Sequence, residues 1–145
     1  PYYTLMRTQR KHGYIVFGTA YPMLEQGGLA FIVQSPKTPS QTLLKETQAF
    51  INDFVQTLIA MPDEEYSAHQ QGLISNLIKK PLNLKEKTNR FWRDIDIDNE
   101  QFNTYEELAK EVALLTKQEL VDYIKLNLVG ENQKALLLSF DGNSQ

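Results

Sequence analysis

The chain has 145 residues, 41% hydrophobic and 23% charged, a size and balance that fit one folded domain with a buried core. Its 18 acids and 15 bases are intermixed and leave a net charge of -3, so neither nucleic acid nor an anionic membrane surface has an electrostatic footprint to bind. The absence of cysteine excludes disulfides, thiolate metal sites and a cysteine nucleophile while leaving the compartment open, and no apolar run approaches the ~20 residues of a membrane span.

In chain order, Tyr2 to Lys11 predicts the end of a helix, with Tyr2, Tyr3, Leu5 and Met6 as an incomplete apolar face. Gly13 makes the corner into a β-branched and aromatic run, and Tyr14 to Tyr21 predicts a strand. Pro22 to Gly28 forms a connection closing on Gly27-Gly28, after which Leu29 to Ser35 predicts a second strand, antiparallel to the first. Both strands are apolar enough on each face to be largely covered, which requires helices on at least one side of a sheet.

The next segment starts a helix with Thr38 as N-cap, Pro39 at the first helical position and Gln41 three residues after the cap. Leu43, Leu44, Phe50, Ile51, Phe54, Val55, Leu58 and Ile59 fall on one face of it. Pro62 opens another helix, with Asp63, Glu64 and Glu65 at the positive end of its dipole and Lys79-Lys80 at the negative end. Its predicted inner face is Tyr66, Leu73, Ile74, Leu77 and Ile78. Asn83 with Glu86, Thr104 with Glu107, and Thr116 with Glu119 have cap-and-acid spacing and mark three further helices. Their stripes are Leu84, Phe91, Trp92 and Ile95; Leu108 and Val112; and Leu120, Val121, Ile124 and Leu128, the last ended by Gly130. Lys134 to Phe140 reads as a final strand, and with no repeat or linker the whole of 1–145 is expected to be one α+β unit.

Few residues carry chemistry. Glu65 and His69 lie four apart on a predicted helix, but two ligands make a poor metal site and a surface pair is the simpler reading. The run from Asp94 to Glu100 places acids at calcium-loop spacing from Asp96 to Glu107, yet Gln101 stands where the loop needs glycine, so a solvated acidic loop is expected. There is no G-x-S-x-G, no phosphate loop around Gly27-Gly28, and no complete catalytic set. Arg7 and Tyr14 remain; by their types alone they read as an arginine on helix-end carbonyls and a tyrosine packed in a sheet with its hydroxyl at the rim.

A longer pattern changes the weight of these two. The segment Arg7-Thr8 followed by Gly13-Tyr14-Ile15-Val16 is succeeded by Gly28-Leu29-Ala30-Phe31-Ile32-Val33-Gln34-Ser35, Lys79-Lys80-Pro81-Leu82-Asn83-Leu84, Phe91-Trp92 and Leu115-Thr116-Lys117-Gln118-Glu119-Leu120. In that order they resemble the C-terminal half of insulinase and pitrilysin-type zinc metallopeptidases, the inverzincins. The chain departs from the family pattern at Arg10, Lys11 and His12, where an acid or amide pair and a leucine usually precede the glycine.

The resemblance implies an α+β fold with two layers, a largely antiparallel sheet with packed helices, N-terminally truncated since the chain starts at Pro1-Tyr2-Tyr3 without methionine. It implies a lid-side, substrate-binding domain of a zinc endopeptidase that degrades peptides in a closed chamber. Zinc in the full-length enzyme would be bound by the N-terminal half through His-x-x-Glu-His; that motif is absent here, so this chain is expected to hold no metal and to be inactive alone. Arg7 and Tyr14 would contact the substrate backbone and steady its transition state. The implied partners are the N-terminal catalytic half of the same protein and a peptide substrate, with self-association of the fragment through a sheet edge or an apolar groove left by missing elements. The compartment would be periplasmic for a bacterial pitrilysin-like member and cytoplasmic otherwise. The alternative is a non-catalytic structural or regulatory domain of a degenerate member.

Overall fold

A computed structural model describes residues 1–21, 27–129 and 135–140. Packing divides the chain into two compact units, Pro1–Gln56 with Ile124–Gln145, and Thr57–Tyr123.

The first unit opens on a helix whose turn widens: Thr4–Gln9 is π-helical, and the Arg10 amide donates to the Leu5 carbonyl at 2.9 Å. Single π-turns of this kind are uncommon and occur often at functional sites. The chain leaves the turn through Lys11, whose φ of 55° is left-handed, a conformation that costs a non-glycine residue about 1 kcal/mol or more. Gly13 follows because there is no room for a side chain. A Cβ there would lie 1.8 Å from the Gln34 carbonyl oxygen, so the corner rests on close backbone approach.

Strands β1 (Ile15–Ala20) and β2 (Leu29–Gln34) pair antiparallel, with Ile15 opposite Gln34 and Ala20 opposite Leu29. Facing pairs share a side of the sheet, so Val16 and Val33 point together toward the core, where Tyr2, Met6 and Val16 are buried against Phe31, Leu43 and Phe50. The Tyr2 ring meets Phe31 and Phe50 edge-on at centroid distances of 4.9 and 5.1 Å. Its hydroxyl donates to Thr47 Oγ1 at 2.8 Å, which in turn donates to the Leu43 carbonyl at 2.9 Å. Each of these large buried side chains contributes roughly 1.5 to 3 kcal/mol before conformational entropy is set against it. The other face is open: Ile15, Phe17 and Ile32 are 42, 43 and 42% exposed. The expectation that both sheet faces are largely covered therefore holds for one face only.

Helix α1 (Ser40–Ala60) buries Ile51, Val55 and Leu58 and half-buries Leu43, Leu44, Phe50 and Phe54, the expected face apart from exposed Ile59. Its start differs from the sequence reading. The Pro39 carbonyl accepts from the Thr42 and Leu43 amides at 3.0 and 3.2 Å, so the helix begins after Pro39 and Thr38 is not its cap. The Thr38 hydroxyl is engaged by His12 instead.

The second unit contains α2 (Asp63–Ile78), α3 (Leu84–Asp96), α4 (Thr104–Leu114) and the first part of α5 (Lys117–Leu128). Side chains of α2 satisfy the carbonyls that end α4: Tyr66 donates to Leu115 at 3.0 Å, and Gln70 Nε2 to Val112 at 2.7 Å and to Leu115 at 2.9 Å. Two of the predicted cap-and-acid pairs form, Thr116 with Glu119 as a reciprocal capping box and Asn83 with Glu86 with the carboxylate reaching the amide before the cap. Asn83 Oδ1 accepts from the Glu86 amide at 2.9 Å while Glu86 accepts from the Leu82 amide at 2.8 Å, and Glu119 accepts from the Thr116 amide at 2.8 Å. At α4 the cap residue is Asn103, so the helix starts one residue earlier than the cap-and-acid spacing predicts and Thr104 lies inside it.

Several predicted apolar stripes are not inner faces. Leu84, Phe91, Trp92 and Ile95 of α3, Leu73 and Ile78 of α2, and Leu108 of α4 are exposed, and the residue α4 buries is Ala109. In α5 the expected stripe holds, with Val121 and Ile124 buried and Leu120 and Leu128 half-buried. The acidic run is not a solvated loop throughout, because α3 continues to Asp96 and Asp94 is buried. Residues 135–140 carry no strand and their leucines and Phe140 are exposed, while Lys134 and Gly130 lie outside the described residues. A strand needs a partner to persist, and alternation alone does not supply one.

Candidate functional site

Arg7 and Tyr14, seven residues apart in sequence, meet in space. The Arg7 guanidinium carbon lies 4.7 Å from the centroid of the Tyr14 ring and 5.1 Å from that of Tyr3. Tyr3 is one helical turn before Arg7, and its hydroxyl oxygen accepts from Arg7 Nη1. A guanidinium flanked by two phenol rings is held by cation–π attraction, worth roughly 0.5 to 1 kcal/mol per ring at an exposed site. The arginine is thus turned toward the rings and not toward helix-end carbonyls. Tyr14 sits just ahead of β1 and is 80% exposed, so its hydroxyl faces solvent instead of the sheet core. The sequence pattern puts Tyr3 on an apolar helix face, whereas its spacing four residues before Arg7 is the signal for this contact.

Between Arg7 and Tyr14 the link is fastened to α1. His12 Nε2 and Arg10 Nη1 both donate to Glu46 Oε2, the arginine at 2.8 Å. His12 Nδ1 lies 3.0 Å from Thr38 Oγ1, whose hydroxyl serves as donor or acceptor according to the charge of the ring. Burial pushes the Glu46 carboxyl up, but the hydrogen bonds from Arg10 and His12 outweigh it and hold the group below its ordinary range.

The remaining candidates do not join this site. Glu65 and His69 form an exposed pair on α2 at 3.8 Å. Among the described residues no three His, Asp or Glu side chains gather as metal ligands. In the second unit a cavity of about 560 Å³ is lined by Phe91, Phe102, Tyr105, Arg90 and the buried Asp94, whose Oδ1 has no hydrogen-bond partner.

Comparison with known proteins gives consistent matches along the chain. The family model described as PQQ synthase PqqF-like, C-terminal lobe domain 4, matches residues 1–92. Protease 3 of Salmonella typhi is 30% identical over 142 residues, covering 98% of this chain and 15% of the relative. The A-factor-processing enzyme of Saccharomyces cerevisiae is 28% identical over 138 residues, covering 95% of this chain and 13% of that protein. A crystal structure of pitrilysin superposes with a TM-score of 0.77 at 28% identity, over 86% of this chain and 13% of that one. The chain therefore spans about 15% or less of the length of these relatives.

Proposed function

This chain belongs to the PqqF-like C-terminal lobe domain family, a C-terminal domain of insulinase/pitrilysin-like zinc peptidases, and we propose that within the complete peptidase it forms the lid side of a peptide-binding chamber. In this reading residues 1–145 act as one zinc-free domain, and zinc is held by the N-terminal half of the same protein. The observation that carries it is the exposed Tyr14 stacked on Arg7, a directed phenol donor beside a cation.

Each group has a defined task. The Tyr14 O–H donates one hydrogen bond, and aimed at the scissile carbonyl it strengthens as negative charge grows on that oxygen. The Arg7 guanidinium presents a planar fork for peptide carbonyls or a carboxylate, with Tyr3 and Tyr14 fixing the plane of the fork before substrate arrives. Neither residue performs hydrolysis, so the domain alone is expected to be inactive.

Arg7→Lys in the complete peptidase tests the clamp. It keeps the charge but removes the fork and the stacking, and kcat/KM for a quenched fluorescent peptide should fall by roughly tenfold or more. An unchanged kcat/KM would mean that Arg7 does not hold substrate.

A further inference from the structure

We propose that His12, clasped to Glu46 beside Arg10, is a positioning residue that holds the Tyr14 hydroxyl in place beside Arg7; this inference rests on the substrate-binding role given to that pair. Its side chain is 11% exposed, and both ring nitrogens are engaged, Nε2 by Glu46 and Nδ1 by Thr38 at 3.0 Å. The imidazole therefore joins three elements: the end of the π-turn that carries Arg7, the loop before α1, and α1 itself. Glu46 stands on the helix whose Leu43 and Phe50 pack on Met6 and Val16, so the anchor is tied to the core of the unit.

The path of the backbone shows why an anchor matters here. From Arg10 to Tyr14 the chain passes a left-handed Lys11 and then Gly13, pressed against the Gln34 carbonyl. Among the described residues the local backbone hydrogen bonds of this link are those of the Arg10 and His12 amides, which reach the Leu5 and Met6 carbonyls at 2.9 and 3.0 Å. A left-handed residue in a short link relaxes unless its neighbours are held. Arg10 and His12 are those neighbours, one on each side of Lys11, and a single carboxylate, Glu46, holds both. Released, the link would let Tyr14 drift from Arg7, and a displacement of about 1 Å in a substrate-positioning group costs up to 100-fold in rate.

A double-mutant cycle in the complete peptidase separates positioning from general support. His12→Ala should lower kcat/KM by roughly 10-fold in the parent, and by less than about 2-fold when Tyr14→Phe is already present, because the group being positioned has gone. The loss of melting temperature from His12→Ala should be the same in both backgrounds. Glu46→Gln, which keeps the volume of the helix surface, should show the same dependence on background and serves if His12→Ala folds poorly. If Tyr14→Phe lowers kcat/KM but His12→Ala and Glu46→Gln cost the same factor in both backgrounds, or nothing, the clasp is only structural and the inference falls alone. If Tyr14→Phe itself leaves kcat/KM unchanged, the substrate-binding reading falls and takes the clasp with it.

Discussion

Gly13→Ala is the substitution whose effect follows most directly from the geometry of the corner. The added methyl would sit 1.8 Å from the Gln34 carbonyl oxygen, 2.8 Å from the Gln34 carbonyl carbon and 3.3 Å from the Ser35 Cα, all of them backbone atoms that cannot turn aside as a side chain can. To reach ordinary contact, the link or the end of β2 must move by more than an ångström. Overpacking of this kind costs roughly 1 to 3 kcal/mol, equivalent to a fall of about 3 to 10 °C in melting temperature for a chain of this size. The displaced segment lies between His12 and Tyr14, so turnover should suffer more than stability, by roughly 100-fold for an ångström of misplacement. Circular-dichroism melting of the chain and peptide turnover by the complete enzyme give the two numbers. Gly72→Ala serves as the control: it is within α2 with nothing within 4 Å of its Cβ position, and should raise the melting temperature slightly through helix propensity. A Gly13→Ala variant that melts within a degree of the parent and turns over peptide normally would refute the close-approach argument.

The clasp gives a pH dependence whose sign can be worked out. Glu46 is lowered from its ordinary value of 4.5, so its stabilising contribution is present above 4.5 and lost as pH falls through the lower folded value; Glu46→Gln should flatten that acid limb of the melting curve. The open sheet face predicts association of the isolated chain, since Ile15, Phe17 and Ile32 form an exposed apolar strip. Light scattering over a concentration series should show mass rising with concentration and Phe17→Glu should suppress it; a strict monomer at high concentration would oppose the expectation.

What was legible in the sequence was local. The two strands and their antiparallel return show in β-branched runs separated by Gly27-Gly28, and the cap-and-acid pairs Asn83/Glu86 and Thr116/Glu119 need only three residues of context. The apolar face of α1 was readable because so many large residues recur at helical spacing that one burial solution dominates. Failures came where a distant residue competes for a local group. Thr38 had the spacing of an N-cap, but His12, 26 residues before it, claims its hydroxyl. The clasp was hidden for the same reason, since Glu46 is 34 residues from His12 and reads in isolation as one acid on the polar face of a helix. Phe91 and Trp92 have the spacing of a buried stripe, yet α3 buries Asp94 and leaves both aromatics exposed. For the candidate site the residue pair was identifiable only through resemblance, because nothing in the six residues from Thr8 to Gly13 shows that Arg7 and Tyr14 stack.

The central claim is that Tyr14 acts through its hydroxyl on bound substrate, and Tyr14→Phe in the complete peptidase tests it with almost no change in volume. Tyr14 is 80% exposed, so loss of the hydroxyl should leave the melting temperature within about a degree of the parent. If the hydroxyl steadies the developing oxyanion, kcat should fall roughly 100- to 1,000-fold, since that hydrogen bond is made mainly in the transition state. A Tyr14→Phe enzyme with normal kcat would contradict the account and leave this domain as chamber wall.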